Sequence, residues 1–215
     1  MTIALDNIIP IPLKDRFLER KSDIWNTSLQ FNSGEFIKIK APSGTGKTTL
    51  VHILYKIRHD YEGLLYYQGR KVTDWDEDEL ATLRQTKISI VFQDLRLFPN
   101  LTAKENIELK RVLPEPFYKA EVIEDMAAAL GVSHILNQKA ALCSYGEQQR
   151  IAIIRALIQP FEWLIMDEPF SHLDIDNTKK AAELIAKECQ KRNAGLIITD
   201  LENDSNFLYN QQYFL

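Results

Sequence analysis

Three segments of this 215-residue chain carry side chains whose types and spacing could handle a phosphate chain. In the first, Ala41-Pro42-Ser43-Gly44-Thr45-Gly46-Lys47-Thr48-Thr49, small residues let backbone N–H groups close around phosphate oxygens. Lys47 offers a cation to β/γ charges, Thr48 a hydroxyl to magnesium, and Thr49 flanks it. The strict pattern G-x-x-x-x-G-K-[ST] fails only at Ala41, where a methyl group tightens the turn and removes no donor. In the second, Trp163-Leu164-Ile165-Met166-Asp167-Glu168-Pro169, two carboxylates end an apolar strand. One can hold magnesium while its neighbour polarises an attacking water. In the third, Ser144-Tyr145-Gly146-Glu147-Gln148-Gln149-Arg150, a helix start offers unsatisfied N–H groups and a positive dipole end to an anion. Ser144 with Glu147 three residues on is equally an ordinary capping box, which holds for the fold under any function.

The elements that must position these residues follow from periodicity. Glu35 to Lys40 alternates and reads as a strand feeding the first segment; Lys47 to Ile57 has helical spacing. Leu64 to Tyr67, Ile88 to Phe92, Trp163 to Met166 and Leu196 to Thr199 read as further strands. Thr102 to about Val132 is helical but interrupted at Pro114 and Pro116, with a helix from Pro116 to Leu130 stopped by Gly131. Gly146 to Ile158 and Asp176 to Lys191 are helices, and the acidic run Asp74 to Glu79 is the solvated first turn of another. Alternating strands and helices imply an α/β fold with a mainly parallel sheet covered on both faces.

Bulk properties narrow the class. A hydrophobic share of 45% with 26% charged residues is ordinary for a globular chain of one domain. A net charge of −4 without a dense basic tract disfavours nucleic acid as a partner. Cys143 and Cys189 have no metal-ligand spacing and fit a reduced cytosolic protein. Met1 to Pro12 lacks a basic region and is broken by Pro10 and Pro12, unlike a secretion signal. No apolar run approaches the roughly 20 residues of a membrane span. Any membrane role is therefore expected through a partner.

Taken together the motifs resemble the ATP-binding subunit of an ABC transporter, from about Ile24 to Asp200. The family's signature maps onto Cys143-Ser144-Tyr145-Gly146-Glu147, its strand-end aspartate and catalytic glutamate onto Asp167 and Glu168, and its phosphate-sensing glutamine onto Gln93. Ser171-His172-Leu173-Asp174 matches the turn after the glutamate. Leu83-Arg84, Val91 to Leu97, Leu101-Thr102 and Glu105-Asn106 are most similar to the lipoprotein-release, macrolide-export and cell-division branch. The resemblance implies a P-loop NTPase core (1–93 and 159–215) with an antiparallel β portion near the N-terminus and an inserted helical subdomain at about 94–158.

It also implies ATP and Mg2+ as cofactors. Ala41 to Thr49, Ser144, Gly146 and Glu147 would contact nucleotide; Thr48, Gln93 and Asp167 would serve the metal; Glu168, Gln93 and Lys47 would carry catalysis. Two copies would close head to tail on two ATP molecules, each held by one copy's phosphate loop and the other's Ser144 and Gly146. A homodimer is the first expectation, with a heterodimer open. The other partner would be an integral membrane permease-type subunit, docking at Gln93 to Pro99 with Leu97 and Phe98 exposed, or those residues simply pack beneath the helical subdomain. The chain would then lie in the cytoplasm, peripheral on the inner face of the membrane. It would power lipoprotein or amphiphile export or transmit force in the cell envelope; the alternative is an ATP-dependent regulatory switch with slow hydrolysis. Soluble ABC-type repair or translation proteins need a coiled-coil insertion or two cassettes, and a P-loop kinase or small GTPase has no use for Ser144 to Arg150.

Three residues depart from the family. A histidine is expected after the strand at Leu196-Ile197-Ile198-Thr199, but Asp200-Leu201-Glu202 follows. Either Asp200 replaces the histidine or the histidine is deleted; the chain's four are His52, His59, His134 and His172. A carboxylate 4 Å from a γ-phosphate would be repelled by about 4 kcal/mol at intermediate dielectric, so Asp200 is expected to point away or bond through magnesium. Hydrolysis is accordingly expected to be slow. Tyr145 and Cys143 also depart, and Tyr145 could crowd the dimer seam. Phe17 and then Trp25 are the candidates to stack on adenine, though either could be core.

Overall fold

The computed structural model describes residues 1–17, 21–113, 116–201 and 205–215. Pro114 and Glu202 lie outside the described residues, as does the side chain of Phe17. In chain order the elements are β1 (Ile3–Pro10), α1 (Lys14–Phe17), β2 (Ser28–Phe31), β3 (Phe36–Lys40), α2 (Lys47–Leu54), β4 (Tyr61–Tyr67), β5 (Arg70–Lys71), α3 (Glu77–Thr86), β6 (Ile88–Val91), α4 (Ala103–Arg111), α5 (Glu121–Ala129), α6 (Tyr145–Ile158), β7 (Trp163–Asp167), α7 (Ile175–Arg192), β8 (Gly195–Asp200) and β9 (Gln211–Phe214).

A five-stranded sheet runs β6-β7-β8-β3-β9, with every adjacent pair parallel. Its strands β6, β7, β8 and β3 are buried on both faces, β9 is a half-exposed edge, and alternate residues feed two cores, as a period of two requires. Trp163, Ile165, Ile197, Ile37 and Ile39 pack with α2 and with a second sheet, β2-β1-β4-β5, which is antiparallel. Leu164, Met166, Leu196 and Ile198 pack with α6, α7, α4 and α5. The fold is thus the α/β architecture with an antiparallel portion that the resemblance implies.

Element boundaries moved where tertiary contacts overrode local pattern. α2 stops at Leu54, a turn before Ile57, because Lys56 takes a left-handed φ of 55° and the Ile57 and Arg58 N–H groups turn back to the His52 carbonyl. α5 starts at Glu121, not Pro116. Phe117 and Tyr118 instead pack their rings around the Arg192 guanidinium, at 4.5 and 5.2 Å. The acidic run does begin a helix, α3, capped by Asp76 and Glu79 reciprocally. Among the described residues no helix is long and apolar enough to cross a membrane.

Candidate functional site

β3 delivers the chain into the phosphate loop, and β7 and β8 end beside it, so three parallel strand ends converge on the head of α2. Such strand ends are where parallel sheets place ligands. Gly46 caps α2 with φ of 100°, a conformation that favours glycine, and no side chain satisfies the first N–H groups. Lys47 folds back over the loop, its Nζ donating to the Ala41 carbonyl at 2.9 Å and pairing with Glu168 Oε1 at 3.1 Å.

Thr48 Oγ1 donates to Asp167 Oδ2 at 2.7 Å and lies 3.3 Å from Gln93 Oε1. Gln93 Nε2 in turn reaches Glu168 Oε2 at 3.4 Å. Thr199 on β8 donates to the other Asp167 oxygen at 2.5 Å and fixes its plane. A hydroxyl, a carboxylate and an amide oxygen therefore meet at one point, a donor set that suits a small hard cation. A cavity of about 390 Å3 opens above, lined by Leu13, Ser43, Gly44, Gly46, Lys47, Thr48, Thr49, Gln93 and Glu168.

Ala41, Pro42 and Thr45 hold the loop from beneath. The Ala41 N–H bonds the Asp200 carbonyl at 3.1 Å, and Thr45 Oγ1 donates to the Pro42 carbonyl at 2.7 Å. Trp25 is buried, with its Nε1 donating to the Thr45 carbonyl at 3.4 Å, so it braces the loop and offers no open face for a base. The apolar lining residue is Leu13, which sequence reasoning missed.

Ser144, Gly146 and Glu147 line no part of that cavity. They sit at the head of α6 as a complete capping box: Ser144 Oγ accepts from the Glu147 N–H at 3.4 Å, and the Glu147 carboxylate accepts from the Ser144 N–H at 2.8 Å. That N–H holds the Glu147 carboxyl below its ordinary range. A Cβ at Gly146 would stand 3.0 Å from the His172 carbonyl, so glycine lets the Ser171–Asp174 turn approach. The ring of Tyr145 folds against its own subunit, edge-on to His172 at 4.2 Å.

Four residues have positioning roles that the sequence did not disclose, although Gln149 and Asn106 lie within the motifs it offered. Gln149, buried in α6, donates its amide to the Glu168 carbonyl at 3.2 Å and to that of Pro169, beneath a Glu168 backbone held at φ 48°. Arg155, also buried in α6, donates to the carbonyls of Leu95 and Arg96, which take φ of 57° and 47°. Burial pushes the Arg155 guanidinium down to about 10. Asn106 fastens the same loop through the Phe98 N–H and carbonyl at 2.8 and 3.1 Å. Of the two readings left open for Leu97 and Phe98, Leu97 is half-buried against the helical core, whereas Phe98 is 57% exposed.

The fourth is Lys38. Asp200 turns its carboxylate to the Lys38 ammonium at 3.1 Å and to the Leu201 N–H at 2.7 Å, and Lys38 is 1% exposed within the sheet. The signal was visible as a lysine centred in the apolar strand Phe36-Ile37-Lys38-Ile39. None of the four histidines lines the phosphate cavity among the described residues.

The model of the ABC transporter family matches residues 24–171, the span that holds all three motifs. The chain belongs to the ABC transporter family. It is 40% identical to the lipoprotein-releasing system ATP-binding protein LolD of Aquifex aeolicus, over 74% of this chain and 72% of the relative. It is 35% identical to the macrolide export ATP-binding/permease protein MacB of Bdellovibrio bacteriovorus over 74% of this chain, and spans 25% of that longer protein. A dimeric post-hydrolysis structure of the cassette MJ0796, from Methanocaldococcus jannaschii, bound to ADP and Pi, is similar at a TM-score of 0.78 and 29% identity, covering 93% of this chain and 88% of the other.

Proposed function

We propose that the chain is the ATP-binding and ATP-hydrolysing subunit of an ABC transporter, and that it dimerises around ATP to drive a membrane partner. The observation that carries this is the convergence of Thr48, Asp167 and Gln93 beside the Lys47–Glu168 pair at an uncapped helix head. The β- and γ-phosphates would take the place of Glu168 as the anion on Lys47 and fill the open N–H groups of α2. Thr48, Gln93 and Asp167 are the residues that would hold Mg2+, which when bound neutralises charge on the β/γ oxygens.

Glu168, freed from Lys47, would accept a proton from water as the water oxygen bonds to the γ-phosphorus and the bond to ADP breaks. Ser144 and Gly146 of a second copy would close the site, and binding that is tighter when closed is what lets ATP drive closure. Residues 94–158 would turn as a subdomain against the core at 1–93 and 159–215. The partner would seat on Gln93 to Pro99, where Phe98 is exposed above a loop that Arg155 and Asn106 fix from below. The LolD and MacB relatives, named for lipoprotein release and macrolide export, support an export role; envelope force transmission and a place on the inner face of the membrane belong to the same proposal.

The Lys38–Asp200 pair favours a second reading, a regulatory switch with slow turnover. It neutralises the strand-end carboxylate but leaves no imidazole there to orient water. Phosphate release from ATP by the purified chain tests both. Glu168→Gln is expected to lower turnover about 10²- to 10⁴-fold while ATP-dependent dimers persist, and undiminished turnover in that variant would refute the catalytic assignment. Under slow turnover, Asp200→His raises the rate; a parent already as fast as purified LolD of Aquifex aeolicus sinks the slow-switch reading.

A further inference from the structure

We propose that Tyr145 couples the two nucleotide sites of the dimer, by tying the helix head that grips one ATP to the loop that reads the other. This rests on the dimeric reading above. The Tyr145 hydroxyl donates to the Gln93 carbonyl at 3.3 Å. The side chain of the same Gln93 spans Thr48 and Glu168, at 3.3 and 3.4 Å. A single residue therefore touches α6 through its backbone and both chemical groups of its own site through its amide.

The mechanics follow from how that loop is fastened. Two and three residues past Gln93, the Leu95 and Arg96 carbonyls are clamped by Arg155, which belongs to α6 as Tyr145 does. α6 thus grips the loop at two points, through side chains that leave the helix ten residues, about 15 Å, apart. When the Gln93 amide shifts toward bound nucleotide, the clamped side cannot absorb the movement, so it passes to Tyr145. Tyr145 adjoins Ser144 and Gly146, the residues offered to the other ATP. A cavity of about 380 Å3 lined by Thr48, His52, Gln93, Asp94, Arg96 and Tyr145 leaves the loop room to move. The signature that this segment resembles usually reads Leu-Ser-Gly-Gly-Gln/Glu, and a glycine in place of Tyr145 could not make the link, so this departure adds a connection. Edge-on packing on His172 aims the ring toward Gln93.

Tyr145 is a positioning residue, acting through Gln93. The test is an ATP titration of dimer formation by sedimentation, using the full chain carrying Glu168→Gln so that ATP persists. The parent is expected to show a Hill coefficient near ~2, two ATP per dimer acting together. Tyr145→Phe keeps the ring on His172 and removes the hydroxyl; it should raise the half-saturating ATP about threefold to tenfold and bring the Hill coefficient toward ~1. In a Gln93→Ala background the same substitution should change neither value. Superimposable titrations for Tyr145 and Tyr145→Phe overturn the proposal, as does an equal effect in both backgrounds, which would make the hydroxyl merely structural. A parent that forms no dimer with ATP at all removes the dimeric reading and the coupling with it.

Discussion

The two helix heads assigned to phosphate are built in opposite ways. α2 begins at a glycine with φ of 100°, has no side-chain cap and no acidic residue in its first turn, and carries Lys47 there instead. α6 begins at Ser144, is closed by a reciprocal capping box, and carries Glu147 in its first turn. One head has its N–H groups and a cation ready for an anion. The other already holds a carboxylate of its own. The difference teaches that sequence resemblance alone overstates the symmetry of the two grips: the first is preorganised, and the second must trade an internal anion for an external one.

The largest effect that would break this contrast is expected at Lys47. Lys47→Met removes the charge-assisted partner of the phosphates and should weaken ATP binding by the single chain about 10- to 150-fold, read by calorimetry. It also leaves Glu168, 12% exposed, without its ion pair, so the melting temperature should fall. Ser144→Ala at the other head should cost about 1 kcal/mol of stability through the lost cap, and its nucleotide defect should appear in ATP-driven dimerisation. If Ser144→Ala weakened binding to the isolated chain as much as Lys47→Met, the two heads would be serving one site and the contrast would collapse.

An intermediate effect is expected beneath the α2 head. The Ala41 N–H is anchored on the Asp200 carbonyl, and the Asp200 side chain is an ion-pair partner of buried Lys38. Asp200→Ala takes one carboxylate away from that buried ammonium and should lower stability in denaturant unfolding by about 1 to 3 kcal/mol. Lys38→Met should cost less, because Asp200 keeps 25% of its side chain in contact with solvent. Equal losses for the two would mean that the pair is not held by burial of the lysine.

These contrasts also mark what could be read from the chain. The phosphate loop, Asp167 and Glu168 were legible because their chemistry is local: a strand, a turn and a helix within one short stretch. β7 was legible for the same reason, a continuous apolar run buried on both faces. β9 was not, since Gln211-Gln212-Tyr213-Phe214 is a half-polar edge strand whose partner β3 lies more than 160 residues earlier. β1 was hidden by the shift in register between Asp6 and Ile9, with Asn7 at φ 50°, which spoils the alternation. Gln149 and Arg155 were masked for the opposite reason. Each sits at a spacing that suits a helix surface, and only the packed fold turns them inward onto the Glu168 and Leu95 carbonyls.

The smallest expected effect is the most pointed, because it has opposite signs for stability and for binding. Glu147→Gln keeps a side chain able to accept the Ser144 N–H but removes the negative charge from the α6 head. The fold should lose about 0.5 kcal/mol, since that charge favours the helix dipole. ATP-driven dimerisation should instead tighten about twofold to fivefold, since the same charge opposes the incoming phosphate. The pH dependence follows from the lowered carboxyl. A carboxylate held below its usual value of 4.5 gives its full stabilisation above that value and loses it only as pH falls through the lower, folded-state value. The melting-temperature difference between parent and Glu147→Gln should therefore hold from about pH 8 to about pH 5, widening where a protonated His134, 3.3 Å from the carboxylate, adds its attraction, and shrink only in more acidic buffer. A difference that fades already near neutrality would mean that Glu147 is not held by the Ser144 N–H, and α6 would then be as open to an anion as α2.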